Sequence, residues 1–273
     1  MHPSIGSSLE NLRQQKTLVH CITNYVTVND VANALLAVGA SPIMADAPEE
    51  VAEVVAHCQG LDINIGTLHA DSVRAMKLAG QEAMKLGIAT VLDPVGVGVS
   101  QFRQQAAREL MQAVHFTAIR GNASELGVLF GLKTAPHGVD VAPCDVIGEE
   151  NLAQGISFVK AFAQKYHTLA VMTGAIDLVA DDRTCYVIRN GRPEMGKVTG
   201  TGCQLSGILT AFLAANPEQK LVAAAAAVCM MGLAGELAFK PQQGNATYRS
   251  YIIDALCQMQ GAILDKGANY EIY

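Results

Sequence analysis

The sequence predicts an α/β fold: a mostly parallel central sheet, helices on both faces, and an antiparallel end. Short, continuous apolar runs rich in β-branched residues alternate with longer helical patterns, as in parallel strands buried on both faces. Between residues 169 and 188 three such runs lie too close together for crossovers, so there the chain must turn back on itself. Half of the 273 residues are apolar and only 16% are charged, enough to fill a large core. No linker divides the chain, and residues 1–273 read as one domain.

The elements follow in order. Residues 18–22 form the first expected strand and 28–37 a helix. Residues 41–44 are a second strand, and 48–58 a helix with Glu49 and Glu50 in its first turn. Runs at 61–65, 88–92 and 116–119 are three further strands, with helical patterns between them. Residues 131–148, with two prolines, read as an irregular excursion before a helix at 149–165. Runs at 169–172, 176–180 and 184–188 make the antiparallel end. The remainder is helical, at 201–215, 220–239 and 247–259.

The net charge of −6 and the lack of any Lys/Arg run exclude nucleic acid as the main partner. Seven cysteines, at 21, 58, 144, 185, 203, 229 and 257, are odd in number and never at Cys-x-x-Cys spacing. They read as reduced thiols of a cytoplasmic protein, without disulfides or structural zinc. The N-terminus shows no signal-peptide pattern. Residues 221–235 are uncharged but short for a membrane span, and Lys220 and Glu236 close them, so a buried helix is expected. Such an apolar composition implies that subunit contacts cover part of the surface.

In sheets of this kind ligands sit beyond the carboxyl ends of the strands, and several polar motifs fall there. Thr199-Gly200-Thr201-Gly202-Cys203 opens an apolar helix. Its glycines let successive N–H groups converge, and the helix adds its positive end, which suits a phosphate. The bland alternative is a glycine-rich helix entry with a buried cysteine. Asp93, ending a strand before Pro94-Val95-Gly96, is placed to hold Mg²⁺ or simply to cap a turn. Arg120-Gly121-Asn122 with Glu125 has capping-box spacing, which explains Asn122 and Glu125 but leaves a cation at the ligand end. Asp93 and Glu125 come from neighbouring strand ends and could share one hydrated Mg²⁺. Thr173-Gly174 can approach a nucleotide or merely turn the chain. Asn24, Asn29 and Asn33 flank a strand-to-helix junction, as contacts for a polar heterocycle or as ordinary caps. Met44 is a soft pocket wall or a core methionine.

Taken in order, these stretches resemble the hydroxyethylthiazole kinase family, within the ribokinase-like superfamily. The matching residues are Thr23-Asn24-Tyr25-Val26-Thr27 with Asn29-Asp30, Pro42-Ile43-Met44, Asn64-Ile65-Gly66-Thr67, Asp93-Pro94-Val95-Gly96, Arg120-Gly121-Asn122 with Glu125, Thr173-Gly174, and Thr199 to Cys203. They span roughly residues 18–215. The resemblance implies a ribokinase-like three-layer sandwich and an ATP- and Mg²⁺-dependent kinase for 4-methyl-5-(2-hydroxyethyl)thiazole. It implies Met44 and Gly200 at the thiazole, with Asn24 and Gly66. It puts Arg120, Thr173, Gly174 and Asn122 at the nucleotide, and Asp93 and Glu125 at the metal. Gly200, Thr201, Gly202 and Cys203 would form the catalytic turn. It further implies a homotrimer with active sites between subunits.

Related sugar kinases carry an aspartate base where this chain has Cys203. A helix N-terminus favours a thiolate there, whereas neighbouring phosphates oppose it. Cys203 is therefore expected near the reacting hydroxyl without being indispensable. Alternatives are a kinase for hydroxymethylpyrimidine or pyridoxal, a Cys203-dependent thiol hydrolase lacking any histidine nearby in sequence, and a nucleotide sensor without catalysis.

Overall fold

Parallel neighbours need long crossovers, and the helices supply them. The computed structural model describes residues 4–132 and 147–273; most of the 131–148 excursion lies outside the described residues. Strands β1 (Leu18–Ile22), β2 (Ser41–Met44), β3 (Gly60–Asn64), β4 (Ala89–Asp93), β5 (Ala118–Asn122) and β6 (Leu169–Thr173) run parallel. The strands β7 (Asp177–Ala180), β8 (Cys185–Ile188) and β9 (Tyr270–Ile272) continue the sheet antiparallel. The spatial order is β2-β1-β3-β4-β5-β6-β7-β8-β9, so the order of strands reverses between β1 and β3. Ligand crevices open at such a switch point.

Helices α1 (Ile5–Gln15), α2 (Val28–Val38), α8 (Thr201–Ala215), α9 (Lys220–Ala238), α10 (Asn245–Gln258) and α11 (Gly261–Gly267) cover one face of the sheet. On the other face lie α3 (Val51–Val55), α4 (Ala70–Leu86), α5 (Gln101–Ala113), α6 (Ala123–Phe130) and α7 (Leu152–Tyr166). This is the expected three-layer arrangement. Helix α8 crosses β1, β3 and β4 and is buried almost throughout. Helix α9 is long and apolar enough to cross a membrane, yet it packs against α8 and α10 inside the core.

Three expectations need correction. Strand β5 runs to Asn122, three residues into what reads as polar loop before a helix, because Arg120, Gly121 and Asn122 pair with Val171, Met172 and Thr173 of β6. Helix α3 is five residues long instead of eleven, since residues 48–50 turn and do not coil. Elements α1, α11 and β9 are additional to those the sequence pattern predicts.

Helix α1 is held by Leu9 and Leu12, both fully buried, and by Asn216, whose side chain donates to the Ser8 carbonyl at 3.1 Å and accepts from Asn11 at 2.9 Å. Leu9→Ala should therefore lower stability by about 2–5 kcal/mol. Urea unfolding checks this, and a loss below ~1 kcal/mol would mean that α1 is peripheral.

Candidate active site

The carboxyl ends of β1, β3, β4, β5 and β6 present Asn24, Asn64, Asp93, Arg120 and Thr173 side by side, with Asn64 opposite Asp93 in the register. The first turn of α8 comes down onto this row, and Asn64 joins the two layers. Its Nδ2 donates to Asp93 Oδ2 at 2.8 Å and to Cys203 Sγ at 3.2 Å. Its Oδ1 accepts from Asn24 Nδ2 at 3.0 Å and from the Gly66 N–H at 2.9 Å. Both donors and both acceptor positions of the amide are thus used. Asn24 Nδ2 also reaches Cys203 Sγ at 3.3 Å, and its Oδ1 accepts from the Thr27 N–H and hydroxyl, each at 3.1 Å.

Gly200 starts α8 with φ +88°, and a Cβ there would lie 2.6 Å from Thr27 Cγ2. No side chain caps this helix, so the N–H groups of its first turn are left for a ligand. Gly202 has the same lack of room: a Cβ would come within 2.6 Å of both terminal nitrogens of Arg120. The glycine lets the guanidinium lie against the helix start. Arg120 donates to Thr173 Oγ1 at 2.8 Å and approaches Asp93 Oδ2 at 3.4 Å.

Two cavities flank this turn. The larger, of about 490 Å³, runs from Arg120, Thr173 and Gly202 to an apolar far end at Leu205, Val228 and Met231. Asp177 also faces it, accepting the Gly174 N–H at 2.8 Å, and burial pushes its carboxyl up to about 7. The smaller, of about 160 Å³, lies at the β1–β3 switch point and is lined by Met44, Asn64, Thr67, Tyr25 and Thr23. Asn24 and Gly66 stand behind its wall, where a Cβ on Gly66 would sit 2.9 Å from Asn24 and Asn64. Asn29 and Asn33 bond to each other on an exposed face of α2, away from both cavities.

The acids are arranged for a hard cation. Asp93 is fully buried, and its Oδ2 takes N–H or O–H bonds from Asn64 and from Ser206 (2.9 Å), while Oδ1 has no partner among the described residues. Burial pushes the Asp93 carboxyl up and Glu125 adds to this; Arg120 and the two hydrogen bonds oppose it. Glu125 closes a capping box with Asn122, taking the Asn122 N–H at 2.9 Å and donating its own N–H to Asn122 Oδ1 at 2.8 Å. Its second oxygen accepts the Gly96 N–H at 2.9 Å. Both sequence readings of Glu125 are thus compatible, since each oxygen keeps a lone pair. Among the described residues no three His, Cys, Asp or Glu side chains form a metal cluster. An orphaned carboxylate oxygen beside a second acid and an anion seat does fit Mg²⁺, which uses one or two carboxylates plus phosphates and water.

All the residues singled out from the sequence gather at this end of the sheet, except Asn29 and Asn33. Asn122 takes part as the exposed cap of α6, with its side chain committed to Glu125. Sequence reasoning assigned no role to Asn64, Ser206 or Asp177. The available signals were an amide ending an apolar strand, and a serine one turn after Cys203.

The fold and this site define a small-molecule phosphotransferase of the ribokinase-like class. A family model described as the hydroxyethylthiazole kinase family matches residues 9–261, and the chain belongs to that family. It is 48% identical to hydroxyethylthiazole kinase of Clostridium acetobutylicum over 97% of this chain and 98% of that one. Against the enzyme of Methanosphaerula palustris the identity is 39% over 98% of both. The solved hydroxyethylthiazole kinase of Pyrococcus horikoshii OT3 superposes with a TM-score of 0.88 at 32% identity, covering 98% of each chain. A Staphylococcus aureus pyridoxal kinase in complex with AMP-PCP and pyridoxal shares the fold alone, with TM-score 0.64 and 12% identity over 94% of this chain and 98% of that one.

Burial, and then Asp93, push the Cys203 thiol above its ordinary value of 9.0. At neutral pH it is protonated, and only the thiolate alkylates. Iodoacetamide labelling of Cys203, followed by peptide mass spectrometry, should keep accelerating from pH 7 through pH 9 and lag the exposed Cys257 throughout. A plateau below pH 8 would show a thiolate already formed.

Proposed function

We propose that this chain transfers the γ-phosphoryl group of ATP to the hydroxyl of 4-methyl-5-(2-hydroxyethyl)thiazole. The observation that carries this reading is the uncapped start of α8 standing between two cavities, one bordered by Gly202 and Arg120, the other by Asn64. The larger cavity takes the nucleotide, with Arg120, Thr173 and Gly174 at the phosphates. The smaller takes the thiazole against Met44; Gly200 lies outside its lining and packs on Thr27 at the start of α8. Asn24 and Gly66 hold that wall in place.

The alcohol oxygen bonds to the γ-phosphorus as the bond to the β-phosphate oxygen breaks, releasing ADP, and the hydroxyl proton passes to an oxygen of the transferred phosphoryl group and from there to water. Such a transition state is loose, so positioning and charge neutralisation do most of the work. The amides of Gly200 to Cys203 and the Arg120 guanidinium receive the charge on the transferred group. Held by Asp93 and Glu125, Mg²⁺ would neutralise charge on the phosphates. Cys203 accepts amide N–H bonds as a neutral thiol beside the reacting hydroxyl; it is not the obligatory base.

A second copy of the chain belongs to this reading. Tyr25 and Val26, on the loop beside the smaller cavity, are 78% and 62% exposed, and Leu36 on α2 is 58% exposed. Apolar side chains bared at a ligand site suit a subunit contact, in keeping with a homotrimer whose sites lie between protomers. A cytoplasmic location, read from the reduced thiols, is part of the same proposal.

A coupled assay with ATP, Mg²⁺ and a panel of alcohols tests the reaction. Turnover is expected on the hydroxyethyl thiazole; phosphorylation of hydroxymethylpyrimidine or pyridoxal in preference to it would overturn the assignment. Cys203→Ala should slow turnover yet leave measurable activity. Complete inactivity, with fold and nucleotide binding intact, would make the thiol essential.

A further inference from the structure

Helix α5 lies on the opposite face of the sheet from α8 and contributes nothing to either cavity, with one exception in what it reaches. Arg103, in its first turn, extends to the ends of β3 and β4 and donates to three main-chain carbonyls. The distances are 3.0 Å to Ile65 and 2.6 Å to Val95 from one terminal nitrogen, and 2.6 Å to Gly66 from the other. Among the described residues it has no carboxylate within ion-pair distance. A guanidinium that takes only carbonyls is being used as a rigid fork and not as a charge partner.

The two segments it ties have different duties. One is Ile65-Gly66-Thr67: the Gly66 N–H bonds the Asn64 amide, and Thr67 lines the smaller cavity and accepts the Tyr25 N–H at 3.4 Å. The other is Val95-Gly96, whose Gly96 N–H bonds Glu125. Gly96 has φ +63°, and a Cβ there would come 3.3 Å from the Arg103 guanidinium, so the turn is shaped around this side chain. Among the described residues the other hydrogen bonds between these two strand ends run to Asp93, from the Ile65 N–H to its carbonyl at 3.1 Å and from Asn64 Nδ2 to its carboxylate at 2.8 Å.

We propose that Arg103 is a positioning residue for phosphoryl transfer, setting the alcohol-side loop at a fixed distance from the acid-side loop. It touches neither substrate. Through Gly66 it orients Asn64, and through Gly96 it orients Glu125, so losing it loosens the alcohol seat and the metal seat together. The nucleotide cavity, which lies across β6 and α9, is spared. This inference rests on the proposed reaction.

The test compares wild type, Arg103→Lys, Arg103→Met and Arg103→Ala in the coupled assay, after circular dichroism and melting have shown each variant folded. A flexible ammonium cannot serve two loops as the fork does, so Lys should rescue only in part. For Arg103→Met, misplacement on the ångström scale should cut kcat/KM for the alcohol by about 100-fold. The alcohol KM and the Mg²⁺ concentration for half-maximal rate should both rise, while KM for ATP stays within about twofold. Added guanidinium should restore activity to Arg103→Ala beyond what sodium chloride does at equal ionic strength.

The proposal is overturned if the folded Met variant keeps wild-type kcat/KM. It is also overturned if the ATP and alcohol KM values rise together, or if activity follows the folded fraction alone, either of which would mark a general brace. Absence of thiazole phosphorylation by the wild type would instead count against the reaction itself.

Discussion

One buried amide holds this site together. Asn64 lies at the end of β3 with every hydrogen-bonding position of its side chain filled, by Asp93, Cys203, Asn24 and Gly66. These four come from β4, α8, the loop after β1 and the loop after β3 itself. A polar side chain in such a place is costly unless every partner is present, so the network is satisfied as a unit or not at all. That condition fixes the start of α8 over the strand ends. The anion seat, the thiol and the alcohol wall share one frame for this reason.

Acids outnumber cations in this frame before any ligand arrives. Asp93 and Glu125 face Arg120, and Asp93 contributes one oxygen to the network while the other is left bare. Two residues before Asn64 on β3, Asp62 is also fully buried, without a partner on either oxygen among the described residues, and burial pushes its carboxyl far up. A neutral Asp62 is the arrangement this interior tolerates, because a second charge beside Asp93 would have no counterion. The long 3.4 Å approach of Arg120 to Asp93 leaves that guanidinium available to a phosphate, with Gly202 providing the room.

Much of this was legible in the sequence, and the failures have physical causes. Helix α8 is legible at its observed bounds because Gly-Thr-Gly announces an entry and the apolar run after it meets no proline before Pro217. The parallel-to-antiparallel change was legible because the connections after β6 are too short for crossovers. Strand β5 was cut short because Arg120-Gly121-Asn122 looks like loop, and only pairing with β6 makes it strand. Helix α1 was missed because Ile5, Leu9 and Leu12 carry its buried face amid serines and glutamines. Strand β9 is three exposed residues at the sheet edge, whose only argument for being a strand is its partner β8. The contacts of Asn64 and Arg103 are illegible for one shared reason: each side chain joins segments that only the folded sheet brings together.

In the reaction we propose, the position of Cys203 argues for chemistry that rests on dipoles and not on a base. Its sulfur accepts N–H bonds from two asparagines, an arrangement that would favour a thiolate. Burial and the neighbouring Asp93 act the other way and prevail, raising the thiol. Two elements that the proposal turns toward the triphosphate, the α8 amides and Arg120, remain as permanent positive poles that need no proton to be lost or gained. A neutral, polarisable sulfur between them fills the space beside the hydroxyl without adding negative charge where the phosphoryl group must pass. An aspartate in its place would bring such a charge next to Asp93, and the crowded carboxylates would then need a different set of counterions.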